Sequence, residues 1–286
     1  MSNIDQFESL FRSAIHDVYE YSKLNFSNLL IVTDLDAAEN QAFTTQVKKF
    51  LSVTDIPENA TWHKLARGDF FTTPELLDAV AEIKPDIIFT YRNLYSTAWK
   101  HPHSLGEHLD VLIQKTDSPI FILPHPEAGY AMDHAMENRD VVMALTDHLS
   151  NDHALVNHAV CFTQDKGTLY LAHIEDIDTF NRYIDAISRI PTINTEDAKE
   201  KLAKELLKQP QSYIHSVIEH LKDEKINVDV RSEVSFGHHL TEFRKCVEDY
   251  KVDLLVMNAR DHQQMAMHGL AYPLAVELRQ IPLLMI

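Results

Sequence analysis

Two stretches of the chain, residues 84–123 and 251–286, carry the same succession of strand, loop, helix and strand. Each opens with a Lys-x-Asp triplet, at residues 84–86 and 251–253, and continues as a short apolar run. Uninterrupted apolar runs of this length are typical of strands that are buried on both faces of a parallel sheet. Each stretch closes with a proline and a second apolar run. The repeat is far longer than a solenoid unit, so we interpret it as two copies of one domain.

The segments that precede these stretches predict further strands, and their number differs between the copies. Each copy has a first strand that ends in an acid, at residues 31–34 and 142–147. The first copy then offers one more strand candidate, at 60–66, whereas the second offers two, at 168–173 and 226–231. We therefore expect the first copy to lack one strand and its crossover.

Two helical features lie outside this repeat. Apolar residues at helical spacing predict a helix over residues 5–22, ahead of the first strand. A long helical pattern covers residues 194–221 and contains Pro210. Because proline lacks a backbone N–H, we expect Pro210 to interrupt that helix.

These strands, in this order and twice over, resemble the universal stress protein family in its tandem form. The resemblance implies an α/β fold of two Rossmann-like domains, each a parallel five-stranded sheet flanked by helices. The first domain would span residues 1–128, with a shortened copy and an extra N-terminal helix, and the second residues 139–286. The two would pack as an intramolecular pseudo-dimer near the closing strands at 119–123 and 282–286. The resemblance also leaves a homodimer open.

The nucleotide loop of the family is altered in the second copy. ATP-binding members carry G-x-x-G-x9-G-[ST] after the fourth strand, and here Asn258 to Asp261 and Ala271-Tyr272 stand at the two ends of that pattern. Arg260 could still hold a phosphate through its forked guanidinium. The residues that the resemblance implies for a nucleotide site in the second domain are Thr146, Asp147, His173, Asn258, Ala259, Arg260, Gly269, Ala271 and Tyr272.

The first copy departs further from the pattern, because the loop after residue 89 contains no glycine. Glu107 stands where a hydroxyl would meet phosphate, and the repulsion amounts to roughly 1 kcal/mol in water and severalfold more in a partly buried site. The corresponding degenerate site in the first domain comprises Asp34, Asp36, Tyr91, Arg92, Gly106 and Glu107. The aromatic residues of this loop, Tyr91 among them, could form a contact surface or could pack within the loop, and both alternatives stay open.

Composition excludes several function classes. The formal charge of −17 disfavours binding to nucleic acid and to anionic membranes. The two cysteines, Cys161 and Cys246, indicate buried thiols in a reducing cytosol. No grouping among the 17 histidines, including His238-His239, has the spacing of a structural zinc site, so we expect no metal. The chain start carries no signal-peptide pattern, and no catalytic motif is present.

We therefore expect a cytoplasmic universal-stress-type protein that acts in a stress response by binding, with a protein partner and with no catalytic residues. No cofactor is certain, and ATP or AMP is open. Two alternatives remain at this stage: an ATP- or AMP-binding sensor that uses the second domain, and a slow ATP-hydrolysing enzyme.

Overall fold

The computed structural model describes residues 18–52, 54–132, 134–146, 149, 152–260, 269 and 271–286. We call the part of the chain before residue 130 the first half and the part after residue 138 the second half. The first half contains β1 (Asn28–Val32), α1 (Ala37–Phe50), β2 (Thr61–Leu65), α2 (Thr73–Ile83), β3 (Ile87–Tyr91), a 3-10 helix (Ala98–Lys100), α3 (Glu107–Lys115) and β4 (Ile120–Leu123).

The second half begins with β5 (Val141–Thr146), α4 (His153–Phe162), β6 (Thr168–Asp176), α5 (Ile177–Ser188) and α6 (Thr195–Asp223). It continues with β7 (Asp229–Gly237), α7 (His239–Asp249), β8 (Leu254–Met257), α8 (Ala271–Glu277) and β9 (Leu283–Met285). Asn194 caps α6 as its position predicts, since its side chain accepts the N–H of Asp197 at 3.1 Å.

All described strands belong to one continuous sheet, in the order β2-β1-β3-β4-β9-β8-β5-β6-β7. Neighbouring strands run parallel except at the centre, where β4 and β9 pair antiparallel through Phe121 and Leu284. In the described chain, four strands lie on the first-half side of this join and five on the other. The expected closing strands therefore meet by direct backbone pairing, and the division of the chain into two domains stays a prediction.

The strands on either side of the join form the centre of the core. Every residue of β3, β4, β8 and β9 is buried. Helices cover both faces, which is the arrangement that allows continuous apolar strands. The sequence-based expectation of buried strands at residues 254–257 and 283–285 is thereby confirmed.

Three local predictions differ from the structure: the bounds of one strand, the interruption at Pro210 and the N-terminal helix. The strand expected at 226–231 lies at Asp229–Gly237, because it pairs residue by residue with the whole of β6 up to Asp176. Pro210 lies inside α6 and does not end it. Burial of Pro210 and of Tyr213 and Ile214 beyond it offsets the lost hydrogen bond.

The predicted N-terminal helix falls mostly outside the described residues. Its described part, residues 18–22, is not helical. Tyr19 instead lies in irregular chain, with its N–H donating to Ser216 Oγ at 3.1 Å and its hydroxyl to Asn157 Oδ1 at 2.6 Å.

Neither cysteine is paired: Cys246 is buried and Cys161 is half-buried, and burial raises the pKa of each thiol to about 11. Among the described helices, none combines the length and the apolar character that a membrane span needs.

Candidate functional site

Asp34 lies just beyond β1, at the carboxyl edge of the sheet where doubly wound folds bind ligands. Its carboxylate accepts the hydroxyl of Tyr91 and the backbone N–H of Tyr95, the latter at 2.8 Å. Arg67 Nε donates to the Asp34 carbonyl at 2.9 Å. Burial, and then the bond to Asp34, raise the pKa of Tyr91 well above its usual range, so this hydroxyl keeps its proton and donates. The carboxylate at this strand end is bonded by groups of the chain itself.

Aromatic rings fill the space around this carboxylate. Tyr91 is fully buried and lies edge-on to Phe43 and to His125, at centroid distances of 5.6 and 4.7 Å. Trp99 stacks on His125 at 4.0 Å. The hydroxyl of Tyr95 donates to the Phe70 carbonyl at 2.6 Å. Tyr91 therefore packs within the edge and does not form an exposed aromatic surface.

Arg92 follows β3 directly and is buried. Its Nε donates to the Ala275 carbonyl at 2.9 Å and its Nη2 to the Leu278 carbonyl at 3.2 Å. These carbonyls belong to the last turn of α8 and the residue after it, where carbonyl groups lack intrahelical partners. Burial lowers the pKa of Arg92 to about 10, so the guanidinium stays charged near neutral pH.

The remaining first-half residues have local structural roles. Asp36 caps α1 in a capping box with Glu39. Gly106 has φ +91°, and a Cβ there would come within 2.7 Å of Asn93 Cα. Glu107 accepts the hydroxyl of Thr73 at 3.2 Å.

At the second-half edge, Thr146 ends β5 and Asn258 follows β8, and these two strands are neighbours. The Asn258 side-chain amide donates to Asp152 Oδ2 at 2.5 Å, and Asp152 also caps α4 through the N–H of Leu155 at 3.1 Å. The N–H of Ala259 donates to the carbonyl of Ile286 at 2.8 Å. Asp147, residues 261–268 and residue 270 lie outside the described residues.

Arg260 contacts the first half. Its Nη2 donates to the Thr116 carbonyl at 2.8 Å and to Asp117 Oδ1 at 3.0 Å, and its Nη1 reaches the Gln114 carbonyl at 3.4 Å. These groups lie at the end of α3. Arg92 and Arg260 therefore have matching roles, since each follows one of the duplicated strands and caps the last helix of the opposite half.

Four further candidates are dispersed. His173 is buried in the interior of β6, short of its end, and its Nε2 lies 3.0 Å from Glu175 Oε1. Gly269 is exposed, whereas Ala271 is buried at the start of α8. Tyr272 is half-buried beside Asp110 of α3, and burial, followed by the charge of Asp110, raises its pKa. Burial raises the pKa of Asp110 itself to about 6.

The structure thus brings Asp34 and Tyr91 together but directs both arginines away from a shared pocket. Sequence reasoning missed Arg67 and Asp152, which bond to the candidate residues Asp34 and Asn258. Asp152 carried a local signal, because an aspartate directly before a helical pattern is a preferred cap. Arg67 carried none, since its contact depends on how β2 lies beside β1.

No family model matches the chain, and neither does any curated protein. The fold is similar to that of a putative universal stress protein from Pseudomonas aeruginosa UCBPP-PA14, with TM-score 0.50 and 11% identity over 91% of this chain and 93% of that one. A universal stress protein from Archaeoglobus fulgidus DSM 4304 matches with TM-score 0.45 and 13% identity, over 88% of this chain and 79% of that one. A functionally unknown protein from Pseudomonas aeruginosa PAO1 matches with TM-score 0.46 and 12% identity, over 100% and 88%.

Proposed function

We propose that this chain is a universal-stress-type protein that acts by binding, without nucleotide turnover. The proposal rests on one observation. Polar side chains at the carboxyl edge of the sheet, where a ligand would bind, are already bonded to other groups of the chain. Arg92 and Arg260 lie in the two altered nucleotide loops, and both are bonded to helix ends of the opposite half. A phosphate would have to displace those bonds before either arginine could bind it.

The carboxyl edge of the first-half strands has few free polar groups with which to bind a nucleotide. Asp34 already accepts from Tyr91 and Tyr95, so it has few acceptor positions left for a ribose or an adenine amine. The Tyr91 ring is fully buried and stands beside that carboxylate. Binding in this half would require the aromatic side chains to move out of their packed positions.

The second half supports a weaker alternative, an ATP- or AMP-binding sensor. Thr146 and Asn258 end neighbouring strands at the point where the chain order of the second-half strands reverses, which is where open α/β sheets bind ligands. Any nucleotide held there would lose the phosphate contacts of Arg260 unless that side chain left the end of α3. We expect such binding to be at least tenfold weaker than in a protein with an intact loop, because one charged hydrogen bond contributes about 1.5–3 kcal/mol.

Calorimetric titration of ATP and of AMP, each with Mg²⁺, into the full chain tests the proposal. We expect no saturable heat in the micromolar range, and a universal stress protein with an intact G-x-x-G-x9-G-[ST] loop serves as the positive control. Saturable micromolar binding to this chain would overturn the proposal.

Two variants separate the remaining outcomes. Binding that disappears in Arg260→Ala and persists in Arg92→Ala would establish the sensor alternative in the second half. Phosphate release above that of a heat-inactivated sample would establish the slow ATP hydrolase.

A further inference from the structure

A group of metal-ligating side chains lies where β6 and the outer strand β7 end, away from both nucleotide loops in sequence. Asp176 ends β6 and His238 follows β7, and the last register pair of these strands joins Asp176 to Gly237. Asp178 lies in the first turn of α5, two residues after Asp176. Strand pairing therefore brings together two segments that are 60 residues apart in sequence, counted from Asp178 to His238.

The spacing of the three side chains suits a small divalent ion. One ligand atom from each lies within 4.8 Å of the other two. His238 Nδ1 is 3.5 Å from Asp178 Oδ2. Bonds of about 2.0 Å to a tetrahedral Zn²⁺ place two ligand atoms about 3.3 Å apart, so this pair already has nearly the required separation.

The charges also favour a cation. Two carboxylates lie close together, and the third member of the group is an imidazole. Asp176 is held in place because its Oδ1 accepts the N–H of Thr179 at 2.7 Å. The group therefore places two acidic side chains together, and a divalent cation would offset the repulsion between their carboxylates.

The neighbouring histidine has a partner outside the group. His239 is in contact with the Ile174 carbonyl through its Nε2, at 2.7 Å. That contact holds His239 against β6, so the two adjacent histidines have separate partners. His238 and Asp178 remain 64% and 77% exposed, which leaves access for an ion and for the waters that would complete its coordination.

We propose that Asp176, Asp178 and His238 form a binding site for a divalent first-row transition ion of the Zn²⁺ type. One imidazole nitrogen with two carboxylate oxygens is a donor set that Zn²⁺ accepts, whereas Mg²⁺ and Ca²⁺ prefer oxygen ligands throughout. The open coordination, completed by water, makes the ion exchangeable.

The test is competition of the metal-free full chain with a micromolar chromophoric chelator for Zn²⁺. Asp178→Asn replaces the carboxylate with a neutral amide, His238→Gln removes the imidazole nitrogen, and both leave the cap at Asp176 intact. His215→Gln is the matched control, because His215 is 71% exposed and lies 3.3 Å from the single carboxylate of Glu219. Melting curves without metal establish that all variants are folded.

We expect the parent and His215→Gln to withdraw one equivalent of Zn²⁺ from the chelator. Asp178→Asn and His238→Gln should bind that equivalent at least tenfold more weakly, and millimolar Mg²⁺ should not compete for it. Unchanged binding in Asp178→Asn and His238→Gln would overturn the proposal. An equal loss in His215→Gln and His238→Gln would also overturn it, since uptake would then be general to exposed histidines.

Discussion

Replacing Arg92 should destabilise the protein far more than replacing Arg260, although the two arginines occupy matching positions after β3 and β8. Both cap the last helix of the opposite half, and the difference lies in burial. Arg92 is 3% exposed, whereas the Arg260 side chain is 32% exposed and its acidic partner Asp117 lies fully in solvent. Water can replace Arg260 at the end of α3, but it cannot easily replace Arg92 at the end of α8.

The size of the effect follows from the contacts. Arg92 makes two charged hydrogen bonds to carbonyl groups, at 2.9 and 3.2 Å, and each contributes about 1.5–3 kcal/mol. Burial of the guanidinium opposes this gain, and it also lowers the Arg92 pKa to about 10. Arg92→Ala should therefore reduce the free energy of unfolding by about 3–5 kcal/mol. Arg260→Ala should reduce it by about 1 kcal/mol or less, because exposed ion pairs contribute little.

Urea unfolding and thermal melting of the two alanine variants measure this difference. For a chain of this size we expect Arg92→Ala to lower Tm by at least about 6 °C. Arg92→Met is the matched control for packing, since it keeps most of the volume of the side chain and removes the hydrogen bonds. It should still lose about 2 kcal/mol or more, because the two carbonyl groups stay buried without donors.

Equal losses in Arg92→Ala and Arg260→Ala would refute the argument from burial. Stability of Arg92→Met within about 0.5 kcal/mol of the parent would show that packing, and not capping, accounts for the effect of Arg92.

Three further predictions concern stability. Leu284→Asp should lower the free energy of unfolding by several kcal/mol in a urea titration, because Leu284 is fully buried; Ile193→Asp, at a position 39% exposed, should change it by less than about 0.5 kcal/mol. Burial raises the pKa of Asp110 to about 6, because the folded protein favours the protonated carboxyl. The stability that depends on this protonated form is fully present below the unfolded pKa and is lost as pH rises through about 6. Asp110→Asn should accordingly raise Tm at pH 8 more than at pH 4.5, and an equal shift at both would contradict this assignment. Gly106→Ala should cost about 1–3 kcal/mol, because Gly106 has a positive φ and a Cβ there would meet the backbone of Asn93. Gly129→Ala, with open space around it, should be nearly neutral by the same titration.

Part of the candidate site could be predicted from the sequence, because the sequence predicts where the buried strands end. The buried runs at Leu254–Met257 and Leu283–Met285 follow from continuous apolar residues. Once strand ends are known, the carboxyl edge of a parallel sheet identifies Asp34, Thr146 and Asn258 as candidates. Caps could be read in the same way, as Asn194 shows. These features depend on short-range patterns of burial and backbone geometry.

The partners of those residues could not be read from the sequence. Arg260 has the forked donor that a phosphate would require, but the structure bonds it to Thr116, 144 residues away in sequence. Arg92 likewise reaches the Ala275 carbonyl across 183 residues. Both contacts depend on the antiparallel pairing of β4 with β9, which no local pattern encodes.

The sequence by itself determined most of the strands and helices, the burial of the central strands and, among the described residues, that the first half has one strand fewer than the second. It did so because hydrophobic period and capping residues act within one or two turns of the chain. Only the tertiary structure decided where long polar side chains make their bonds. An arginine or a histidine can meet a phosphate, a carboxylate, a carbonyl or water, and which of these it meets depends on distant backbone. His238 and Asp178 show the same dependence on tertiary structure. They are far apart in sequence, and the pairing of β6 with β7 brings their side chains to 3.5 Å.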